Sequence, residues 1–356
     1  MNKGYDVLLS LIRLGIGHSN IFSAQHINWD VVQQLANEHG LSAIVLDAIE
    51  KLPEDKRPPK IVLLNWIGEV LQSYEQRYDA YETAICSLAR FHNQHGYKMM
   101  LLKGYACAKN WPKPEHRPCG DIDIWQFGKQ KQIDQLLAKE KGIEIDLTHH
   151  IHTVFEWDGF TVENHYDFIN AHSHKSSKEL EKLFKDMGMD DAYTIEVKGE
   201  KVYEPSPNMN ALFLLRHSMA HFAAQGINLR QLLDWGVFVE KRHCEIDWEW
   251  LEGVLDEYGM KNLYDIFNGI CIEDLGFASN IFHGVQFEPL LKERVLKEIL
   301  SPEFSEMMPK NTLKRIVYKL RRWKGSSWKH ELCFKESRWE AFWSGVWNHL
   351  LKPSTI

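Results

Sequence analysis

The segment Gly120-Asp121-Ile122-Asp123-Ile124 constrains this 356-residue chain more than any other. Two carboxylates lie two residues apart within an apolar, β-branched run, and such a run predicts a strand. Because a strand sends alternate side chains to opposite faces, we expect Asp121 and Asp123 to share one face while Ile122 and Ile124 enter the core. Burying two like charges side by side is costly unless a cation compensates them. The pair therefore predicts a divalent metal site, with Mg²⁺ the first choice and Mn²⁺ the alternative.

The elements around this segment alternate between strand and helix. The predicted order is a strand at 97–102 that ends at Lys103-Gly104, a helix at 105–110, a Pro-rich loop at 111–118, a strand at 121–127 and a helix at 130–141. This order indicates an α/β unit. The patterns of residues 1–95 and 206–356 are mainly helical. We therefore predict an α+β fold, with a mixed-sheet core at 96–205 between helical N-terminal and C-terminal regions.

A hairpin is predicted after this unit. Asp158-Gly159 separates two runs rich in β-branched and aromatic residues, at 152–157 and 160–166. In the second run Thr161, Glu163 and His165 fall on one face, so Glu163 can add a third carboxylate to the site. The alternative for Glu163 is a surface charge on the hairpin.

Composition narrows the function classes. A net charge of −7 argues against a general nucleic-acid binder, which usually presents a basic surface. The six cysteines include no Cys-x-x-Cys pair, and this scatter indicates reduced, unpaired thiols in a cytoplasmic protein. We expect no signal peptide and no membrane-spanning segment.

Residues 310–329 have a different composition from the rest of the chain. They contain eight Lys or Arg and no acidic residue, with apolar residues interleaved. A basic amphipathic helix of this kind can lie on an anionic membrane or bind a polyanionic partner. The alternative is a helix that packs its apolar side on an acidic neighbouring domain.

Strand-borne carboxylates after a glycine turn suit phosphoryl and nucleotidyl transfer, in which the protein mainly positions phosphates and neutralises their charge. Two metal ions about 4 Å apart can hold the attacking and leaving oxygens, and three carboxylates are natural ligands for such a pair. The glycine permits close approach of the backbone to phosphate, and the following helix offers its N-terminus to the anion.

The chain also resembles a known family, the uncharacterised bacterial nucleotidyltransferases of the NTP_transf_5 group, within the polymerase-β-like superfamily. The similarity lies in the ordered blocks "INWDVVQQLANEHGLSAIVL", "LLKGYACAKNW", "RPCGDIDIW", "GFTVENHYDF" and "LLRHSMAHFAAQGINLRQLLDW", which together cover most of residues 25–240. The resemblance implies a nucleotidyltransferase-type sheet core, NTP as substrate and a two-metal site.

Carried over residue by residue, the resemblance implies that Asp121, Asp123 and Glu163 are the catalytic metal ligands. It places a second group at the nucleotide, made of Lys103, Gly104, Tyr105, Arg117 and Gly120. Tyr105 departs from the pattern of the wider superfamily, in which a small residue usually follows this glycine. A bulky side chain there would narrow the phosphate pocket or stack on a ligand.

Several of these residues have a structural alternative. Lys103 and Arg117 suit ion pairs as well as phosphate binding. Arg230 and Asp234, four residues apart, are typical of an ion pair on a helix surface. The set of supporting residues is His165, His217, His221, Arg230 and Asp234.

Histidines provide a further set of alternatives. His217 and His221 share a helix face and can line a polar seam against the catalytic core or bind zinc. A group at 149, 150, 152, 165, 172 and 174 fits a polar hairpin face, with zinc binding as the alternative.

The predicted function is metal-dependent transfer of an NMP group from an NTP to an unidentified acceptor, with pyrophosphate leaving. Glu163 would complete the metal pair or deprotonate an acceptor hydroxyl. Two alternatives remain open: a non-catalytic nucleotide-binding or scaffold protein that keeps the fold, and a phosphotransferase that uses the same metals. The fold does not fix the acceptor.

Overall fold

The computed structural model describes residues 3–171, 174–190, 192–304 and 311–340, except for the side chains of residues 312, 313 and 316. The helices that precede the sheet are α1 (Lys3–Gly15), α2 (Trp29–Glu38), α3 (Ser42–Lys51), α4 (Lys60–Val70) and α5 (Gln76–Gln94). A π-helical turn, Leu71–Glu75, joins α4 to α5. Asn28 caps α2 by accepting the backbone N–H of Val31, as an Asn side chain commonly does at this position.

The sheet region comes next along the chain. Its elements are β1 (Met100–Leu101), α6 (Gly104–Ala108), β2 (Ile122–Trp125), α7 (Gln130–Lys141), β3 (His152–Trp157), β4 (Phe160–His165), α8 (Lys175–Asp190), β5 (Tyr193–Val197) and β6 (Glu200–Glu204). Within the described ranges these strands form one sheet of six, in the order β3-β4-β2-β1-β6-β5. β2 pairs parallel with β4 and β1 pairs parallel with β6, while the other neighbours are antiparallel. The predicted α+β class with a mixed sheet is confirmed.

The hairpin predicted around Asp158-Gly159 is also confirmed. Both residues have positive φ, 48° and 81°, as a two-residue primed turn requires. The strands predicted at 97–102 and 121–127 are shorter in the structure, because only Met100–Leu101 and Ile122–Trp125 have ladder partners. The sequence reasoning missed α8 and the second hairpin, β5–β6.

Helices again follow the sheet. They are α9 (Pro207–Ala224), α10 (Leu229–Arg242), α11 (Trp248–Glu257), α12 (Lys261–Glu273), α13 (Pro289–Leu300), α14 (Thr312–Gly325) and α15 (Ser327–Cys333). Ser206 caps α9 by accepting the backbone N–H of Met209, and Pro207 occupies the first helical position, where its missing N–H costs nothing.

The two faces of the sheet are buried in different cores. Ile122 and Ile124 are fully buried among residues of α5 and α7, as predicted. The opposite face, which carries Trp125, packs into a larger core that runs from α1 to α15. The helices on both sides of the sheet in sequence therefore pack into the same core.

None of the helices among the described residues is long and apolar enough to cross a bilayer. All six cysteines are unpaired, as predicted.

The predicted basic segment begins at Lys310, which lies outside the described residues, and continues as α14. Two of its basic side chains contact other parts of the chain. Arg322 donates to the Ala224 carbonyl oxygen, and Lys329 pairs with Glu298. The cations that remain exposed are Lys314, Arg315, Lys319, Arg321 and Lys324. Contact with a membrane or polyanion stays a prediction.

Candidate active site

Three carboxylates meet on the sheet face opposite α5 and α7. The parallel register of β2 and β4 pairs Asp123 with Glu163, so the two side chains project from adjacent positions. Neighbouring strands lie about 4.8 Å apart, so side chains in such a pair can bind one ligand. Asp121 immediately precedes β2 and lines the same cleft. Strand pairing thus places Glu163 beside the Asp-x-Asp segment.

Asp123 is buried and already has two hydrogen-bonding partners. The Lys103 ammonium lies 2.9 Å from its Oδ1, and Nε2 of His165 lies 3.0 Å from the same oxygen. Burial alone would raise the pKa of this carboxyl, but the Lys103 charge and the hydrogen bond from His165 hold the pKa well below its usual range. Asp123 is therefore ionised and compensated by side chains of the chain itself.

Asp121 has a different environment. The expectation that both aspartates are buried charges is wrong for Asp121, whose side chain is exposed at the mouth of the cleft. Partial burial, with the neighbouring charges of Glu163 and Asp123, raises the pKa of the Asp121 carboxyl. Asp123 and Glu163 are register partners and Asp121 lines the same cleft, so the three carboxylates are close enough to repel one another.

This donor set fits a divalent cation. Hard cations bind carboxylate oxygens, and a cation here would relieve the repulsion at Asp121. Asp121, Asp123 and Glu163 are the residues that would hold it. An ion must share Asp123 with Lys103, because the ammonium already occupies one side of that carboxylate.

The turn between β1 and α6 has an unusual backbone. Lys103 has φ 36° and ψ −118°, a strained conformation for a residue with a Cβ, and its side chain nonetheless reaches Asp123. A Cβ on Gly104 would lie 2.6 Å from the Tyr81 hydroxyl, which donates to the Asp121 carbonyl oxygen at 2.9 Å. Glycine is thus required by packing against α5. Since α6 has only five residues, it offers little dipole to an anion.

Tyr105 lies away from the cleft. Its side chain is buried against α5, where the hydroxyl donates to Glu82 Oε1 at 3.0 Å and the ring stacks on Tyr78. The expectation that this ring narrows a phosphate pocket or stacks on a ligand finds no support in the geometry. Among the described residues its contacts are those of a core side chain.

Arg117 is held by a carboxylate from α10. Its Nε lies 2.8 Å from Asp234 Oδ1 and its terminal nitrogen 2.9 Å from Oδ2, a bidentate pair buried at both ends. Trp111 donates to the same carboxylate at 2.8 Å. Burial would lower the pKa of Arg117, but the Asp234 charge raises it overall. Of the two alternatives left open for Arg117, the ion pair is the one found.

Arg230 does not form the predicted helix-surface pair with Asp234. Within the described parts of the chain no ion pair joins the two, because the carboxylate faces Arg117 and Trp111 instead. The Arg230 Nε is buried without a hydrogen-bond partner, and burial lowers the pKa of this guanidinium. Its side chain lines the cleft.

His217 and His221 lie on α9 across the cleft from the carboxylates. Their rings are 4.4 Å apart. Burial, reinforced by the charge of Lys103, lowers the pKa of both imidazoles, so they are neutral at pH 7. In the described ranges no third metal ligand joins this pair. A polar seam facing Lys103 is the arrangement observed.

Most of the predicted site residues share one cleft of about 690 Å³, within the range of small-molecule sites. It is lined by Lys103, Gly104, Arg117, Gly120, Asp121, Asp123, Glu163, His165, His217, His221, Arg230 and Asp234. A second cavity of about 670 Å³, lined by Gly4, Trp29 and neighbouring N-terminal residues, contains none of them.

The ordered motifs and this cleft agree with a family comparison. The family model described as "Uncharacterised nucleotidyltransferase" matches residues 25–271. The chain belongs to this nucleotidyltransferase family. The matched range includes the sheet, the three carboxylates and the helices α9 and α10 that close the cleft.

The similarity of this family member to a solved structure is low. The chain is similar to the crystal structure of an antigenic nucleotidyltransferase-like protein from Paracoccidioides brasiliensis, at 15% identity over 58% of this chain and 97% of that chain. The TM-score is 0.38, which is too low to transfer any property. No curated protein matches the chain.

Two cleft residues of this nucleotidyltransferase-family protein were not singled out by the sequence reasoning. Arg216 on α9 is buried, with one terminal nitrogen 3.2 Å from the Ser177 hydroxyl and the other unpartnered, and burial lowers its pKa to about 10. His152 was considered only within a larger histidine group. The hairpin turn at Asp158-Gly159 sets the antiparallel register that pairs His152 with His165, and this register is the signal that could have identified His152. Of that group, His172 lies outside the described residues.

Proposed function

We propose that this protein transfers an NMP group from an NTP to an acceptor, with pyrophosphate leaving, in the cleft between the sheet and α9. The observation that carries the proposal is the parallel pairing of Asp123 with Glu163, with Asp121 at the mouth of the same cleft. Membership of the nucleotidyltransferase family supports the same reaction class.

A divalent cation held by Asp121, Asp123 and Glu163 would neutralise charge on the phosphates, with Mg²⁺ or Mn²⁺ as the candidate ions. One or two ions can be accommodated by this number of oxygens. Glu163, half-buried beside Asp123, is also positioned to accept the proton of an acceptor hydroxyl.

The cleft supplies cations for a triphosphate. Lys103 projects from the β1–α6 turn to the carboxylates, so its ammonium lies at the boundary between the metal ligands and the rest of the cleft. Arg230, whose Nε is buried without a partner, and Arg216, whose guanidinium has an unpartnered nitrogen, are two more donors on the cleft wall. Arg117 takes no part, because Asp234 occupies its guanidinium.

The reaction can be tested before the acceptor is known, with water as the default acceptor. Purified protein is incubated with Mg²⁺ or Mn²⁺ and each of the four NTPs labelled on the α-phosphate, and the products are separated. Nucleotidyl transfer yields NMP and pyrophosphate, whereas phosphoryl transfer yields NDP and phosphate. We expect the first pair of products.

Asp121→Asn is the sharpest variant, because this side chain is exposed and its loss should leave the fold intact. Loss of a metal ligand should reduce turnover by at least about 100-fold. Asp79→Asn is the matched control, since the Asp79 side chain on α5 is 79% exposed, pairs with Lys198 and lies outside the cleft. Equal turnover in the two variants would refute the metal-ligand assignment. NTP binding without any product would instead favour the non-catalytic alternative.

A further inference from the structure

Two histidines flank the third carboxylate on the hairpin. The antiparallel register of β3 and β4 pairs His152 with His165, and Glu163 lies two residues before His165 on the same face. A donor atom from each of the three side chains lies within 4.8 Å of the others. The group contains two imidazoles and one carboxylate, unlike the all-oxygen set described above.

His165 is oriented by a second contact. Its Nδ1 lies 3.2 Å from the Asp167 carbonyl oxygen, and because a carbonyl only accepts, Nδ1 carries a proton. Its Nε2 then faces two carboxylate oxygens, Asp123 Oδ1 at 3.0 Å and Glu163 Oε2 at 3.4 Å. A neutral ring would direct a lone pair at both. A positive charge at Nε2, from a proton or a metal ion, would remove this repulsion between the lone pair and the carboxylate oxygens. An Nδ1–H bonded to a carbonyl oxygen is how proteins orient metal-binding histidines.

His152 supplies a second nitrogen without a partner. Its Nδ1 is buried and makes no hydrogen bond, although Glu163 Oε2 lies 3.7 Å away. An unsatisfied buried polar atom destabilises the fold, so a ligand on this nitrogen would relieve that penalty.

The spacing of the donors matches one ion. Ligands about 2.0–2.2 Å from a tetrahedral zinc ion lie about 3.4 Å from one another. The His165–Glu163 and His152–Glu163 separations are 3.4 Å and 3.7 Å, so small side-chain rotations suffice. When His165 binds an ion, Asp123 keeps Lys103 as its partner.

We propose that His152, Glu163 and His165 form a binding site for a first-row transition metal, with Zn²⁺ and Co²⁺ bound in preference to Mg²⁺. Imidazole nitrogen suits these ions, whereas Mg²⁺ strongly prefers oxygen ligands. Three protein ligands with an open position are typical of catalytic zinc sites. The inference deepens the proposed function, since Glu163 is shared with that site, and it predicts which ion occupies this part of the cleft.

The test is metal binding by the untagged, metal-free full-length protein in the absence of nucleotide. Co²⁺ is followed by its visible absorption, which is strong in four-coordinate sites with nitrogen ligands, and Zn²⁺ and Mg²⁺ are followed by calorimetry. We expect one Zn²⁺ or Co²⁺ per chain at this site. His152→Ala and His165→Ala should each weaken Co²⁺ binding by about 100-fold or more.

His95→Ala is the matched control, because His95 also contacts a carboxylate, Glu140 at 3.0 Å, but outside the cleft. It should bind Co²⁺ as the unmodified chain does. Far-UV circular dichroism of each variant separates lost binding from lost folding. Co²⁺ absorption that survives in both hairpin variants but disappears in His217→Ala would overturn the proposal, by assigning the ion to α9. Mg²⁺ binding as tight as Zn²⁺ binding would overturn it too.

The outcomes also separate this inference from the proposed reaction. Co²⁺ binding that depends on His152, with no product from any NTP under any metal, would refute nucleotidyl transfer and leave the metal site standing. Mg²⁺-supported turnover in His152→Ala, with unchanged Co²⁺ binding, would refute the metal site and leave nucleotidyl transfer standing.

Discussion

Replacing Arg117 by Met should destabilise the fold far more than an ordinary surface substitution. The change leaves the Asp234 carboxylate buried without its bidentate partner. Removing one member of a buried ion pair costs about 3–5 kcal/mol. The lower end applies here, because Trp111 still donates to Asp234 and the Arg230 charge lies close to it. We therefore expect the free energy of unfolding to fall by about 3 kcal/mol.

Urea unfolding followed by far-UV circular dichroism measures this loss. With an m-value of about 3 kcal/mol/M, the midpoint should fall by about 1 M. Arg90→Met is the matched control: it removes the same side chain from an exposed pair, at 2.8 Å from Glu200, in which the arginine is 55% exposed. An exposed pair contributes about 1 kcal/mol at most, so the control should change little.

A second substitution tests whether the unpaired charge of Asp234 causes the loss of stability. Asp234→Asn removes the stranded charge and keeps an oxygen for the Trp111 N–H. The Arg117→Met/Asp234→Asn variant should therefore regain most of the loss and end about 1 kcal/mol below the unmodified protein. The reasoning is refuted if Arg117→Met is no less stable than Arg90→Met, or if the double variant is as unstable as the single one. Weakened NTP binding at full stability would mean that Arg117 is a phosphate ligand after all.

Two further predictions concern packing and pH. Gly104→Ala should cost about 1–3 kcal/mol of unfolding free energy, because its Cβ would lie 2.6 Å from the buried Tyr81 hydroxyl; in a Tyr81→Phe background the same change should cost clearly less, and equal costs would contradict the steric argument. His116 donates to Asp47 at 2.7 Å, and although burial lowers its pKa, this hydrogen bond and charge raise it overall. The pair should therefore stabilise the fold fully below about pH 6.5 and lose that contribution as pH rises through the raised pKa of the folded state. In urea unfolding, His116→Gln should cost more stability at pH 6 than at pH 9, and the reverse order would contradict the assignment.

The bounds of an element are predictable from the sequence where a cap or a tight turn next to it fixes the backbone. The bounds of α7 were predicted correctly, because Gly142 takes the left-handed conformation directly after its last residue. The Asp158-Gly159 turn fixed the hairpin in the same way. The ends of β1 and β2 depend on which neighbours they pair with, and no local signal carries that information.

The candidate site was predictable in part for the same reason. The positions of Asp121, Asp123 and Glu163 follow from strand alternation and from the order of the motifs. The ion-pair partners of Lys103 and Arg117 cannot be predicted in this way, because the carboxylates that they contact are brought close only when the chain folds. The direction of Tyr105 depends likewise on where α5 packs.

The ion pair between Lys103 and Asp123 has a consequence for how metal removal is interpreted. Since the ammonium already neutralises the buried carboxylate, the chain carries its own counter-ion and needs none from solution in order to fold. A chelator that removes a bound ion from the cleft should therefore leave the chain folded. A divalent ion at Asp123 would share this carboxylate with the Lys103 ammonium, so its apparent affinity would include the repulsion between two neighbouring cations. A phosphate bound beside both cations would relieve that repulsion, which would make ion and nucleotide favour each other's binding.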